Sequence, residues 1–374
     1  MSIDRGKAVT LSAITTSSTD ARFAAGGRPM PVNLSARLCD DRGDKRIAFL
    51  FCHPTADFSR HGLLDHLARH GVAAFGMTTR YVNNDLELLM ERCVQDVGRG
   101  VAFLREQGYE KIVLTGHSGG ASLSCLYQAE AENPTISTTP DGDAFEMGAL
   151  DRADALFLLA AHPGRAEALT SWLDPAIIDE ANPALRNPEL DLFADRQLPY
   201  DREWLKEYKA AQTARNRRIS DYALATLDTL HQSDGPNDAI LTVHGTSADP
   251  RFIDLTLDTN GRQARTADQV RRLNDAHLSM GRLSTLRSWL SQWSLDHSRA
   301  SGPDCLGRTR VPACLIEFEK DEIVLPSYIH SYVQARSEGV HREVMPDATH
   351  FLIGQPDVED RLAQRLIALA RSHF

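Results

Sequence analysis

"KIVLTGHSGGASLS", residues 111–124, decides how this chain reads. Ile112, Val113, Leu114 and Thr115 are apolar or β-branched and lead straight into Gly116-His117-Ser118-Gly119-Gly120. Such a run suits a strand buried on both faces, and residues 119–132 then carry helical spacing. A serine between glycines at this turn has two readings. Either the turn is only tight, holding phosphate or nothing, or Ser118 is held out as a nucleophile. A Walker-type phosphate loop needs a lysine after its last glycine, and none follows. A nucleophile on a sharp strand-to-helix turn needs a strained backbone, with Gly116 and Gly120 leaving room for neighbouring chain. The helix N-terminus would offer free N–H groups and positive potential where an oxyanion forms.

Working outward, the same rhythm repeats. Residues 32–39 alternate as a strand, and "RIAFLFCHP" (46–54) is a continuous apolar run. Helical spacing over 62–71 closes at a glycine; 72–77 reads as a strand and 85–108 as a long amphipathic helix. "ADALFLLAAHP" (153–163) is another buried strand. Strand and helix alternating at short intervals predict an α/β domain, with a mostly parallel central sheet and helices on both faces. Ligands in such sheets bind beyond the carboxyl ends of the strands, where His53, Ser118 and His162 fall.

The rhythm stops after 163. Residues 165–300 are charged and helix-rich, contain all four tryptophans, and include a strand-like "DAILTVHG" (238–245) and a charged helical stretch (201–218). This segment reads as an insertion folded over the sheet, its aromatics mostly its own core. Residues 301–311 read as a linker. The α/β rhythm resumes at 312–326 and ends in a helix over 357–374. The expected organisation is a core at 1–164 and 311–374, with a cap at 165–310. Residues 1–30 read as a loose lead-in or edge strands.

Gly116-His117-Ser118-Gly119-Gly120 matches G-x-S-x-G, and with its strand-turn-helix setting the chain resembles the α/β-hydrolase superfamily. The resemblance covers 32–163 and 312–374. It implies a nucleophile, an acid and a histidine in that chain order. His350, in "PDATHFLIG" before the last helix, is the expected base; His341 and His373 are poorer placed. Asp321, in "EKDEIVLP", follows a buried strand and resembles the family's D-x-x-V-P turn, although Phe318 stands where a glycine is usual. Glu319 and Glu322 are neighbouring substitutes. Asp249, after "ILTVHG", imitates the same signal, but Asp321 lies a helix and a strand before His350 and Asp249 lies inside the insertion. The oxyanion hole implied by the resemblance takes its N–H groups from Gly119 and, after His53-Pro54, from Thr55; Pro54 itself has none. His53, Arg80, Asn83, His117 and His162 are candidate substrate contacts, with Arg80, Asn83 and Asn84 equally able to cap the helix beginning near Asp85.

The expected activity is therefore a serine hydrolase cleaving a carboxylic ester, or a related acyl bond, of a small apolar substrate through an acyl-enzyme. The same triad also serves carbon–carbon hydrolases, lactonases and acyl transferases, and the scaffold serves ligand-binding proteins with little turnover. Dehalogenase and epoxide hydrolase chemistry needs an aspartate in place of Ser118. No motif for a cofactor, metal or nucleotide stands out. The formal charge of −10 argues against a nucleic-acid partner. The six scattered cysteines, without a CxxC pair, read as buried free thiols. No apolar signal segment and no stretch of 18 apolar residues is present, so the expectation is a cytoplasmic protein with a small-molecule substrate and no membrane contact. A second copy of the chain stays open as a partner.

Overall fold

A computed structural model of the chain describes residues 6–14, 31–234, 236–277 and 279–374. The chain runs β1 (Lys7–Ile14), β2 (Pro31–Cys39), β3 (Ile47–Cys52), α1 (Leu63–Arg69), β4 (Ala73–Met77), α2 (Met90–Glu106), β5 (Lys111–His117), α3 (Gly119–Glu132) and β6 (Ala155–Leu159). It continues through α4 (Arg165–Trp172), β7 (Ile177–Asp179), β8 (Asn182–Arg186), α5 (Arg202–His231), β9 (Ile240–Thr242), α6 (Ala267–Asp275), β10 (Leu283–Thr285), α7 (Leu286–Gln292) and α8 (Gly302–Gly307). It closes with β11 (Ala313–Phe318), α9 (Pro326–Ala335), β12 (Val340–Met345) and α10 (Pro356–His373).

Eight strands form one sheet in the order β1-β2-β4-β3-β5-β6-β11-β12. β2 runs antiparallel to β1 and β4, and every pairing from β4 to β12 is parallel. The apolar runs are continuous because both faces are covered. Ala48, Leu50 and Cys52 of β3 point to one face, with Leu114, Leu156, Leu158 and Leu315, under α2, α3, α8 and α9. Phe49 and Phe51 point to the other, with Val113, Phe157, Cys314 and Ile316, under α1 and α10. That alternation is the period of two expected of a strand. The chain leaves β3 for β4 on one side and returns to β5 on the other, so the loops after β3 and β5 diverge and open a crevice at the carboxyl ends of the strands.

Residues 165–310 lie outside this sheet. Most of their apolar side chains form two separate clusters, one around Trp289, Trp293, Ile219 and Leu290, the other around Trp172, Tyr208, Phe252 and Val270, while Ala300, Cys305 and Leu306 at the end of the segment join the core under the sheet. Polar bonds join them to the body. Ser288 Oγ donates to the Leu88 carbonyl at 2.9 Å, Gln292 Nε2 to the Asp85 carbonyl at 2.8 Å, and Ser291 Oγ to Glu91 at 2.7 Å.

Several local expectations change. The helix expected from residue 85 starts at Met90, because Leu89 is extended and the Asp85 carbonyl and carboxylate bind the inserted segment. The "DAILTVHG" strand shortens to β9, paired only with β10 in a two-stranded ribbon. The charged helix of 201–218 extends to His231 as α5. The linker at 301–311 contains α8, begun by Pro303 in its first turn, where a proline costs no hydrogen bond. Of the lead-in at 1–30, residues 6–14 include edge strand β1; the rest lies outside the described residues. All six cysteines are buried, with no disulfide. Among the described residues no helix is long and apolar enough to cross a membrane.

Leu114 is fully buried at the centre of the sheet. Leu114→Ala should lower unfolding free energy by about 2–5 kcal/mol, read from the urea midpoint.

Candidate active site

The turn after β5 is strained at one residue. Ser118 stands between β5 and α3 with φ 56° and ψ −125°, a conformation few side chains adopt. Its N–H donates to the Leu159 carbonyl at 3.0 Å, and its carbonyl accepts from Ala121 and His162 N–H at 3.0 and 3.2 Å. The glycines around it are required for close approach. A Cβ at Gly116 would overlap the backbone of Gly120 and Ala121, and one at Gly120 would overlap the Cys52 carbonyl. The end of β3 therefore presses directly against the turn.

His350 and Asp321 come to Ser118 from the loops after β12 and β11. His350 Nε2 lies 2.9 Å from Ser118 Oγ, and His350 Nδ1 lies 2.8 and 3.1 Å from the two Asp321 carboxylate oxygens. A carboxylate only accepts, so His350 carries its proton on Nδ1 and presents the Nε2 lone pair to the serine hydroxyl. Asp321 Oδ1 also accepts Ile323 and Val324 N–H at 2.8 and 2.7 Å, which fixes the carboxylate. His350 and Asp321 are 2% and 1% exposed, so water does not compete for these bonds.

The rival acid is elsewhere. Asp249 caps a short turn in the insertion and pairs with Arg251 at 2.6 Å; Arg251 in turn reaches the Tyr328 hydroxyl at 2.6 Å. Glu322 does not replace Asp321 but accepts the His350 N–H at 3.2 Å, and Glu319 accepts the Asp347 N–H.

The expected substrate contacts divide. His53 and His162 lie beside the Ser118 turn, the His53 ring on Phe58 with Nε2 toward Gly119, and buried His162 with its ring near Trp172 and Tyr328. Arg80 does not: its guanidinium is buried against Asp96, Nη2 to Oδ1 at 2.6 Å and Nε to Oδ2 at 3.0 Å, because an unpaired charge could not stay there. Asn83 has an exposed side chain, and only its N–H takes part, on the Thr55 carbonyl at 2.8 Å. Asn84 caps locally, accepting the Leu86 N–H. His117 lies behind the site: its Nε2 donates to the His350 carbonyl at 2.9 Å, and its Nδ1 accepts from His61 Nε2 at 3.0 Å.

Of the expected oxyanion donors, Gly119 is the first residue of α3, so its N–H has no acceptor within the helix. The Thr55 N–H is not open. It donates to His53 Nδ1 at 3.1 Å, beside the Ala56 N–H at 2.8 Å.

Three contributors went unread in the sequence. Arg165, the first residue of α4, reaches Thr55 Oγ1 at 3.0 Å and Asp85 at 2.9 Å, and stacks on Trp293. It follows the end of β6, beyond His162, at the kind of strand-end position that marked His53 after β3. His61 and Asn260 carry no such signal; Asn260 Nδ2 donates to the Asp321 carbonyl at 2.8 Å from the far insertion.

Four histidines around Ser118 and His350 are held neutral. Burial lowers His61 to about 4, and burial with Arg165 lowers His162 to about 3. Burial first, then the Arg165 charge, pushes His53 well below its usual range, and burial does the same to His117. Away from this site Asp141, Asp143 and His231 converge closely enough to hold a cation, but the Arg287 guanidinium already bridges the two carboxylates at 2.6 and 3.0 Å.

No family model matches the chain, and no curated protein matches it. Solved structures do. The chain is similar to DcsB, solved in complex with its substrate analogue, at 10% identity over 98% of this chain and 99% of that one, TM-score 0.53. It is similar to a hypothetical protein from Pseudomonas aeruginosa at 13% identity over 100% and 95%, TM-score 0.50. A highly thermostable carboxyl esterase from Bacillus coagulans, in complex with glycerol, aligns at 13% identity over 97% and 98%, TM-score 0.49. The fold is that of the α/β-hydrolases. In the α/β-hydrolase order, Ser118, Asp321 and His350 follow strands of one sheet and meet at its carboxyl edge.

Two outcomes follow for stability. Arg80→Ala leaves Asp96 buried and uncompensated, and should cost about 3–5 kcal/mol in urea unfolding. His117 and His162 are both more than nine-tenths buried and bind protons less readily folded than unfolded. Their stabilisation is complete above the unfolded value near 6.5 and is lost as pH falls below it. The unfolding free energy from urea titrations should drop between pH 6.5 and 5, by about 1–2 kcal/mol for each histidine, and His162→Gln should flatten that slope.

Proposed function

We propose that this protein is a serine hydrolase acting on a carboxylic ester or related acyl bond. One observation carries the reading: the unbroken relay from Ser118 Oγ through His350 to Asp321, at 2.9 and 2.8 Å. A serine hydroxyl is a weak nucleophile at neutral pH, and this relay is the arrangement that activates it. His350 Nε2 takes the Ser118 proton as Oγ attacks the acyl carbonyl. Asp321 holds the imidazole in the required tautomer and stabilises its charged form. The tetrahedral oxyanion faces the positive end of α3 and the Gly119 N–H. His350 then protonates the leaving alcohol, and a water activated by the same histidine releases the acid.

The aromatic rings of Trp172 and Tyr328 beside His162 support an apolar acyl group. Residues 165–310, bonded to the body through Ser288, Ser291 and Gln292, serve as the cap over this site. No step in this scheme asks for a cofactor.

A fluorophosphonate should add once to the wild-type protein, read by intact mass, and not to Ser118→Ala. Turnover of p-nitrophenyl acetate and butyrate should vanish in Ser118→Ala and fall about 10⁴-fold in Asp321→Asn, as the wrong histidine tautomer is then favoured. Equal labelling of Ser118→Ala would overturn the assignment.

A further inference from the structure

We propose that the His53 side chain, through its Nε2–H, is the second donor of the oxyanion hole, in place of the Thr55 backbone amide. The inference rests on the hydrolase reading above and adds a catalytic residue to it.

Three observations converge. First, His53 Nδ1 accepts two backbone N–H groups, Thr55 at 3.1 Å and Ala56 at 2.8 Å. An imidazole nitrogen that accepts carries no proton, so in the neutral ring the proton is on Nε2. Second, the same bonds draw the Thr55 amide to the ring. The backbone group that would normally serve has thus been exchanged for the far side of the imidazole it binds. Third, the Nε2 edge is aimed at the nucleophile turn. It lies 2.9 Å from where a Cβ on Gly119 would stand. That point is about 2.5 Å from the Gly119 nitrogen by standard backbone geometry. The two donors are therefore within roughly 5.5 Å of each other, close enough to bond one oxygen at about 3 Å from each.

The surroundings keep this donor in its working form. Burial and the Arg165 charge hold His53 neutral. Arg165 itself is anchored on Thr55 Oγ1 and Asp85, so its charge is fixed beside the ring. A neutral donor does not charge up across the working pH range and cannot take the Ser118 proton in place of His350. Gly119 acquires a second role from this arrangement. Its missing side chain lets the imidazole edge approach, as the missing side chain of Gly120 lets the Cys52 carbonyl approach.

Two substitutions separate the functions of the two ring nitrogens. Asparagine places Oδ1 where Nδ1 stood, and so keeps the acceptor for the Thr55 and Ala56 amides but loses the donor. Glutamine places an N–H near the Nε2 position and loses the acceptor. His53→Asn should lower kcat on p-nitrophenyl butyrate by about 100–1,000-fold with KM little changed, the size of an oxyanion donor's loss. It should weaken a trifluoromethyl ketone inhibitor, whose adduct carries the oxyanion, by a similar factor. His53→Gln should keep kcat within about tenfold of wild type. Wild-type kcat in His53→Asn, or a fall in His53→Gln as deep as in His53→Asn, overturns the proposal in favour of a loop anchor. Absence of any Ser118-dependent turnover or labelling in the wild type would sink the hydrolase reading and this inference together; turnover that ignores His53→Asn sinks this one alone.

Discussion

Ser118 can stand at positive φ because the chain on either side of it is held. Its amide is bonded to the end of β6, its carbonyl to the start of α3 and to the loop after β6. Backbone strain of this kind costs about 1–3 kcal/mol and persists only where the surroundings over-determine it. The rest of the site depends on that constraint. With Ser118 raised above the sheet edge, loops from β3, β6, β11 and β12 can all reach it without leaving the ends of their own strands.

The second organising feature is histidine without charge. His53, His61, His117 and His162 surround His350, and burial or the Arg165 cation keeps each of them neutral. Their tautomers are set by what each nitrogen touches. His61 Nδ1 accepts the Leu63 N–H, its Nε2 donates to His117, and His117 Nε2 donates to the His350 carbonyl. The main chain of His350 is thus positioned by a chain of donors running from the start of α1. A charged member would repel its neighbours in a low-dielectric pocket and break the sequence of donors.

Ion pairs do the corresponding work between body and insertion. Arg165 joins Asp85 to the loop after β3, and Arg251 joins Asp249 to Tyr328 on α9. The same aspartate that imitates Asp321 in sequence is thereby committed to holding two parts of the fold together. Asp321 differs from it only in what it meets: two backbone amides that orient it, and an imidazole in reach.

The sequence by itself determined the sheet and the three residues that meet on it. Continuous apolar runs must be buried on both faces, a period that local composition records. A serine between glycines after such a run, an aspartate after a later one, and a histidine before the last helix are positions along the chain, and the parallel sheet brings all such positions to one edge. Only the tertiary structure decided the partners. Arg80 looks available until Asp96 is found beside it, 16 residues away in sequence. Thr55 looks like an open amide until the His53 ring is found to accept it. α8 looks like a linker until α3 and α9 cover it, and Asn260 reaches Asp321 from within the insertion. Hydrogen bonds and ion pairs between residues distant in sequence leave no periodic trace, because they depend on where the chain returns and not on what precedes or follows each residue.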